Sequence, residues 1–190
     1  MRKKTRFLTQ SAFIAALYVA LTYISAVLGI ASGVVQIRLS EALTVSPAFS
    51  PAGVPGLFLG CFVANVLTGA PLWDIVFGSV ATLLGALGTR YFGKKCFTAP
   101  IFPILSNTLI IPFVLKFAYG VGEGYSFLFV TIFLGEFISC GVLGVVLYKA
   151  LDKTKLFKQF YLVTHCVKKK GNAKIFTIFI VRGDIVYELL

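Results

Sequence analysis

Apolar residues run along this chain in long stretches, separated by short connections that contain polar residues, Pro or Gly. A helix that spans a bilayer needs about 20 predominantly apolar residues. Stretches of roughly that length lie at 7–30, 51–69, 72–93, 98–118 and 125–149. The first is too long for the apolar core of a signal peptide, about 7–15 residues, so it is expected to be a transmembrane helix. The pattern predicts an all-α integral membrane protein.

A sixth apolar segment, 39–50, is too short to span by itself, and Pro47 lies near its end. Basic clusters lie at 2–6, 90–95 and 149–158. If 39–50 also crosses, as a short or tilted helix, all three clusters face the cytoplasm, as the positive-inside rule favours. We therefore predict six transmembrane helices with both termini cytoplasmic and the second helix short. Such a segment is tolerated at membrane depth only where protein or a cavity covers it, so it should be enclosed.

Composition supports a lipid environment. The chain is 58% hydrophobic and only 13% charged, with a mean hydropathy of +0.91, so its outer surface must be apolar too. The net charge of +11 does not indicate nucleic-acid binding, because the basic clusters adjoin the ends of apolar runs. We expect a multi-pass protein of the cell membrane that contacts lipid and no nucleic acid.

Motifs for catalysis or metal binding are not found. The four cysteines are isolated in sequence, without metal-ligand spacing. The segment 88–94 resembles the start of a P-loop, but Lys95 replaces the required Ser or Thr and no strand precedes it. We predict no metal, no cofactor and no enzymatic activity. A membrane enzyme with Glu136 and Asp74 as an acid–base pair ranks last among the alternatives.

Three carboxylates adjoin or interrupt apolar runs: Glu41, Asp74 and Glu136. An ionisable group at the centre of a membrane helix costs roughly 2.5–3.5 kcal/mol, so it is usually kept for a function. Ser40 and Glu41 are expected to be an N-cap and a first-turn acid of the short segment. Asp74 lies at the start of another predicted helix, so capping explains both acids as well as binding does. Glu136 lies eleven residues into its helix, ~16 Å deep, where no helix end explains it.

Further polar residues fall in the same outer half of the predicted bundle. They are Gln36, Arg38, Asn65 and Asn107, with Trp73 available for stacking. Together with the three acids they predict a substrate-binding site in the outer half of the bundle. For the two asparagines, a hydrogen bond between helices remains as good an interpretation as ligand contact.

Small residues form a stripe on the first helix: Ala12, Ala16 and Ala20, spaced by four. Such a face lets another helix approach closely, either inside the same bundle or on a partner protein. The residues Gly78, Thr82, Gly85 and Thr89 form a comparable face on the helix at 72–93.

Residues 156–190 do not continue the membrane pattern. We divide the chain into a membrane substrate-binding domain at 1–155 and an atypical cytoplasmic tail of unknown role at 156–190. The segment KLFKQFYLVTHCVKKK could lie along the membrane surface, whereas IFTIFIV and IVYELL suggest a small pair of strands.

Several segments in one order resemble the QueT family of queuosine-precursor transporters. They are QIRLSEALTVSP, PGLFLGCFVANVL, DIVFGSVATLLGAL, the Asn of SNTLI, and GEFISCGVLG, and the resemblance covers about residues 9–155. Members of this family are the substrate-binding S components of energy-coupling factor transporters. The resemblance implies six helices, a transmembrane coupling protein and two ATPase subunits as partners, with the alanine stripe as the docking face. The tail after residue 155 departs from the family.

The ligand that the resemblance implies is a 7-deazaguanine base, in its 7-aminomethyl form. Its guanine-like edge offers two donors to one carboxylate, its cationic amine suits a second carboxylate, and its O6 suits a donor such as Asn, Gln or Arg. Alternatives are an S component for another small vitamin-like molecule and a membrane scaffold without transport activity.

Overall fold

A computed structural model of the chain describes residues 2–31, 35–93, 95–118, 120, 122–153, 176–181 and 184–189. The helices are α1 (Arg2–Val27), a 3-10 helix at Leu39–Ala48 that we name the short helix, α2 (Gly53–Leu67), α3 (Leu72–Phe92), α4 (Ile101–Phe117), α5 (Tyr125–Glu136) and α6 (Gly144–Lys153). A π-helical segment, Phe137–Leu143, joins α5 to α6. All regular elements described between residues 2 and 153 are helical.

Among the residues that the structure describes, three helices are long and apolar enough to cross a membrane: Lys4–Val27, Leu72–Phe92 and Tyr125–Lys153. The helices Gly53–Leu67 and Ile101–Phe117 are apolar but shorter. Every long apolar stretch of the sequence thus forms a helix, and the prediction of a helical membrane protein is confirmed. The number of six crossings and the cytoplasmic side of both termini stay predictions.

Neighbouring helices pack in chain order, α1 on α2, α2 on α3, α3 on α4 and α4 on α5. Glycines bring the backbones together. A Cβ added at Gly60 of α2 would lie 2.8 Å from the Cβ of Tyr18, and one at Gly85 of α3 would lie 2.7 Å from the Cα of Pro103. Close packing of this kind stabilises helix association in lipid. The hydrophobic effect contributes little there, because the lipid tails are as apolar as the helix surfaces.

The short helix lies inside this bundle, in contact with α1, α2, α3, α6 and the π-helical segment. Its residues from Ser40 to Pro47 are all buried. The prediction that it is enclosed is confirmed. The interpretation of Ser40 as its N-cap is wrong: the cap position is Arg38, which makes no side-chain capping bond, and the Ser40 hydroxyl is instead hydrogen-bonded to Thr22 of α1.

The two stripes of small residues have different surroundings. Gly78, Thr82, Gly85 and Thr89 of α3 are all buried, and the Thr89 hydroxyl donates to the carbonyl of Ala99 at 2.8 Å. The three alanines of the stripe on α1, by contrast, are all exposed. The stripe on α3 therefore serves packing inside the bundle, whereas the alanine stripe faces outward.

Beyond the helices, a two-stranded antiparallel hairpin joins β1 (Phe176–Val181) to β2 (Asp184–Leu189). Its register pairs Phe176 with Leu189 and Val181 with Asp184. The predicted strand pair is confirmed. The predicted surface segment that precedes it lies outside the described residues, and the division of the chain at residue 155 stays a prediction.

Candidate functional site

The two carboxylates that the sequence places 95 positions apart, Glu41 and Glu136, meet in the interior. Glu41 projects from the short helix and Glu136 is the last residue of α5. With the thiol of Cys140 they form a cluster in which one ligand atom of each lies within 4.8 Å of the others. The Cys140 thiol donates to Glu136 Oε2 at 3.2 Å and lies 3.9 Å from Glu41 Oε2. Two carboxylates and a thiol are groups that can bind a cation, either an organic ammonium group or a metal ion.

Each carboxylate also accepts a hydrogen bond from a neutral group on another helix. The hydroxyl of Tyr18 on α1 donates to Glu41 Oε1. The amide of Asn107 on α4 donates to Glu136 Oε1 at 3.0 Å. Tyr18 and Glu41 are only 1% and 2% exposed, so these bonds replace water that cannot reach the groups.

Arg38 supplies a positive charge that interacts with this cluster. It stands at the start of the short helix, half-buried, and its backbone N–H donates to Ser139 Oγ of the π-helical segment at 3.1 Å. Its guanidinium attracts Glu41, Glu136 and Asp74 electrostatically. With both glutamates ionised, the group Glu41, Glu136 and Arg38 carries one net negative charge.

Irregular backbone surrounds the cluster on two sides, because the 3-10 turns of the short helix pack against the π-helical segment. The Thr44 hydroxyl lies 2.5 Å from the carbonyl oxygen of Glu41 and 3.4 Å from Cys140 Sγ. π-Helical turns within α-helices are frequent at functional sites. Here the π-helical segment places Cys140 one turn beyond Glu136 and against the short helix.

A second polar network lies between α2 and α3. The Asn65 amide donates to the carbonyl of Asp74 at 3.2 Å and lies 3.6 Å from Cys61 Sγ, while the Thr82 hydroxyl lies 3.4 Å from that sulfur. Asn65 was predicted either to bond between helices or to contact the ligand, and in the structure it makes a hydrogen bond between α2 and α3. Asp74 is half-buried and is linked to the carboxylate cluster through the charge of Arg38.

Gln36 and Trp73 have exposed side chains. Trp73 is 48% exposed, with its ring 5.7 Å from that of Phe77 on the same helix. The backbone carbonyl of Gln36 packs so closely on Gly135 that an added Cβ there would overlap it. The structure thus brings together four of the predicted site residues, Glu41, Glu136, Asn107 and Arg38. Asp74 and Asn65 lie in the adjoining network, and the side chains of Gln36 and Trp73 lie at the surface.

Sequence reasoning missed Tyr18 and Cys140, which both contact the carboxylates. A usable signal for Tyr18 is the spacing of polar residues within the first apolar stretch. Ser11, Tyr18, Thr22 and Ser25 recur at helical intervals and are all buried. For Cys140 the signal is its position four residues after Glu136, on the same helix face.

The alanine stripe borders an apolar groove on the outer surface of α1 and α2. The groove has a volume of about 560 Å³, and Ala16 and Ala20 line it on the α1 side. From α2 come Leu59, Val63 and Leu67. The small side chains of Ala16 and Ala20 leave an apolar surface into which another helix can pack.

Comparison with known proteins identifies relatives. The family model described as the QueT transporter matches residues 8–153, most of the helical part. A curated relative, the queuosine precursor transporter QueT of Lactococcus lactis subsp. cremoris (strain MG1363), is 32% identical over 95 residues. That alignment covers 49% of this chain and 55% of the relative, so about half of each is compared. No solved structure matches the chain.

Proposed function

Because the chain belongs to the QueT transporter family, we propose that it is the membrane substrate-binding subunit for uptake of a queuosine precursor. The ligand that we propose is a 7-deazaguanine base, 7-aminomethyl-7-deazaguanine. The subunit would reside in the cell membrane as a multi-pass protein, with partner ATPases supplying the energy for transport.

The meeting of Glu41 with Glu136 is the observation that carries this proposal. Two carboxylates enclosed together repel each other, and the repulsion is strong where water is excluded. A ligand with a cationic amine and a row of N–H donors relieves it. The proposed base has both, because its amine is protonated at pH 7 and its guanine-like edge presents two neighbouring donors to one carboxylate.

The charge balance of the cluster favours a ligand with a single positive charge. Glu41, Glu136 and Arg38 together carry one net negative charge when both acids are ionised. Adding one ammonium group makes the enclosed site neutral, which is the cheapest state in a low-dielectric interior. Arg38 and Asn107 also supply the donors that the O6 acceptor of the base requires.

For energy coupling, we propose that a transmembrane coupling protein and two ATPase subunits act on this chain. The exposed stripe of Ala12, Ala16 and Ala20 and the groove beside it support the docking of a partner helix. The identity of this partner class rests on the resemblance to S components.

The test is ligand affinity of the purified full-length protein in detergent, measured by isothermal titration with 7-aminomethyl-7-deazaguanine. We expect Glu41→Gln and Glu136→Gln each to weaken binding by about tenfold to a hundredfold, because each removes a charged acceptor from an enclosed site. A second probe, 7-methyl-7-deazaguanine, keeps the guanine edge but lacks the amine and should bind the wild type weakly.

The matched control is Glu123→Gln, which neutralises an exposed carboxylate in the connection before α5 and should leave affinity unchanged. Mass spectrometry of ligand retained on purification distinguishes the base from another vitamin-like molecule. Failure of the wild type to bind, or full affinity in both Glu41→Gln and Glu136→Gln, would refute the proposal.

A further inference from the structure

We propose that Thr22 and Ser25 of α1 are positioning residues for the ligand site. Their hydroxyls hold the first turn of the short helix in place and thereby set the position of the Glu41 carboxylate. This inference rests on the proposed function, because its main readout is affinity for the proposed ligand.

The two residues belong to a polar row on the buried face of α1. Thr22 is 6% exposed and Ser25 is fully buried, within a helix whose other faces are apolar and largely exposed. Each hydroxyl also contacts the carbonyl four residues earlier, Tyr18 for Thr22 and Leu21 for Ser25, at 2.9 Å. This second bond fixes the rotamer of each side chain, so the hydroxyl oxygen is held facing the short helix.

Both residues bind the short helix at the positions just before Glu41. The hydroxyl oxygens of Thr22 and Ser40 are hydrogen-bonded at 2.8 Å. The backbone N–H of Leu39 donates to Ser25 Oγ at 2.9 Å. Tyr18, on the same face of α1, donates to the Glu41 carboxylate itself. Three successive positions of the short helix are therefore held by one helix.

The short helix needs such external bonds. It has no side-chain cap of its own, and the first N–H groups of any helix lack partners within it. A buried N–H group without a hydrogen-bond partner costs free energy, and Ser25 Oγ accepts the hydrogen bond of the Leu39 N–H. A ten-residue 3-10 helix also has weak internal hydrogen bonds, so its position and orientation within the bundle depend on the residues that it contacts.

The experiment measures the dissociation constant for 7-aminomethyl-7-deazaguanine with the full-length protein carrying Thr22→Val or Ser25→Ala. We expect each change to weaken binding by about tenfold, as one lost hydrogen bond that positions a charged ligand contact would do. The conservative variant Thr22→Ser keeps the hydroxyl and should bind within about twofold of the wild type.

The matched control is Ser11→Ala. Ser11 lies on the same buried face of α1, contacts the carbonyl four residues earlier, and also lies 3.1 Å from the carbonyl oxygen of Ala52, so its hydroxyl likewise links α1 to another segment. It lies fourteen residues from Ser25, ~21 Å along the helix, and holds the start of α2 instead. We expect Ser11→Ala and Ser25→Ala to lower the melting temperature similarly, but only Ser25→Ala to lower affinity.

Wild-type affinity in both Thr22→Val and Ser25→Ala would overturn the positioning role while leaving the proposed function intact. An equal loss of affinity in Ser11→Ala would also overturn it, since the effect would then be one of general stability. Absence of binding by the wild-type protein would overturn the proposed function and this inference with it. Should Thr22→Val fail to fold, Ser25→Ala against Ser11→Ala still decides the outcome.

Discussion

At the scale of single residues, the cluster brings two like-charged groups together beside a thiol. Cys140 is fully buried and lies closer to Glu136 than to Glu41. A thiol is a weak donor, but its hydrogen bond to Glu136 Oε2 helps to hold that carboxylate in position for a ligand. The other carboxylate oxygens, Oε1 of Glu41 and Oε1 of Glu136, accept hydrogen bonds from Tyr18 and Asn107 respectively.

Substitutions of Cys140 test the role of this thiol. We expect Cys140→Ser to stay within about threefold of wild-type ligand affinity, because the hydroxyl still donates to a carboxylate. Cys140→Ala removes the donor and should cost about 1 kcal/mol, roughly fivefold in affinity. Isothermal titration of the three proteins checks the order.

Cys96→Ala is the control, since Cys96 lies outside the cluster, near the cytoplasmic basic cluster predicted at 90–95, and is only partly buried. Equal affinity of Cys140→Ala and Cys140→Ser would show that the thiol has no role in holding the acids.

At the scale of elements, the site depends on how closely one loop approaches one helix. Gly135 of α5 is buried against the backbone carbonyl of Gln36, and Arg38 of the same loop donates its backbone N–H to Ser139. Only a residue without a Cβ permits this approach, which brings the connection before the short helix next to Glu136.

We therefore expect Gly135→Ala to displace that loop and to weaken ligand binding by about tenfold or more, with a loss of stability of about 1–3 kcal/mol from overpacking. Affinity by titration and thermal melting in detergent measure the two effects.

Gly141→Ala is the matched control on the same continuous helix. A Cβ there would approach the nearest atom, of the Phe137 ring, at an ordinary 3.5 Å. If Gly135→Ala binds as tightly as Gly141→Ala, the close approach of the loop does not matter to the site.

At the scale of the whole molecule, α1 presents two different faces. Its buried polar face, with Tyr18, holds the short helix, whereas its exposed face carries the stripe of Ala12, Ala16 and Ala20. A partner that packs on the exposed face would therefore act on the same helix that holds the carboxylate cluster.

We expect Ala16→Leu to reduce cellular uptake of the precursor by at least about tenfold, because a larger side chain prevents close helix packing. Ligand affinity of the purified variant should equal that of the wild type, since Ala16 is exposed and does not touch the cluster.

The control substitution is Ala26→Leu, at another exposed alanine of the same helix that lies outside the stripe. Normal uptake by cells with Ala16→Leu, or equal loss with Ala26→Leu, would contradict the docking role of the stripe.

Much of the membrane architecture follows from the sequence by itself. Lipid demands long apolar stretches and internally satisfied backbones, so the helices at Leu72–Phe92 and Tyr125–Lys153 could be predicted from hydropathy alone. Charge at membrane depth is costly, so Glu41 and Glu136 could also be singled out. The enclosed short helix followed from its length and its proline.

Only the tertiary structure decided which polar residues share a site. Glu41 meets Glu136 because the short helix packs against the π-helical segment, and no local pattern specifies that contact. The same packing separated Asn65, which bonds across α2 and α3, from Asn107, which reaches Glu136. The sequence determines which residues must avoid lipid, because the free-energy cost of exposing a polar side chain to lipid is a property of that residue alone. Which other residues a polar side chain contacts depends on how the helices pack.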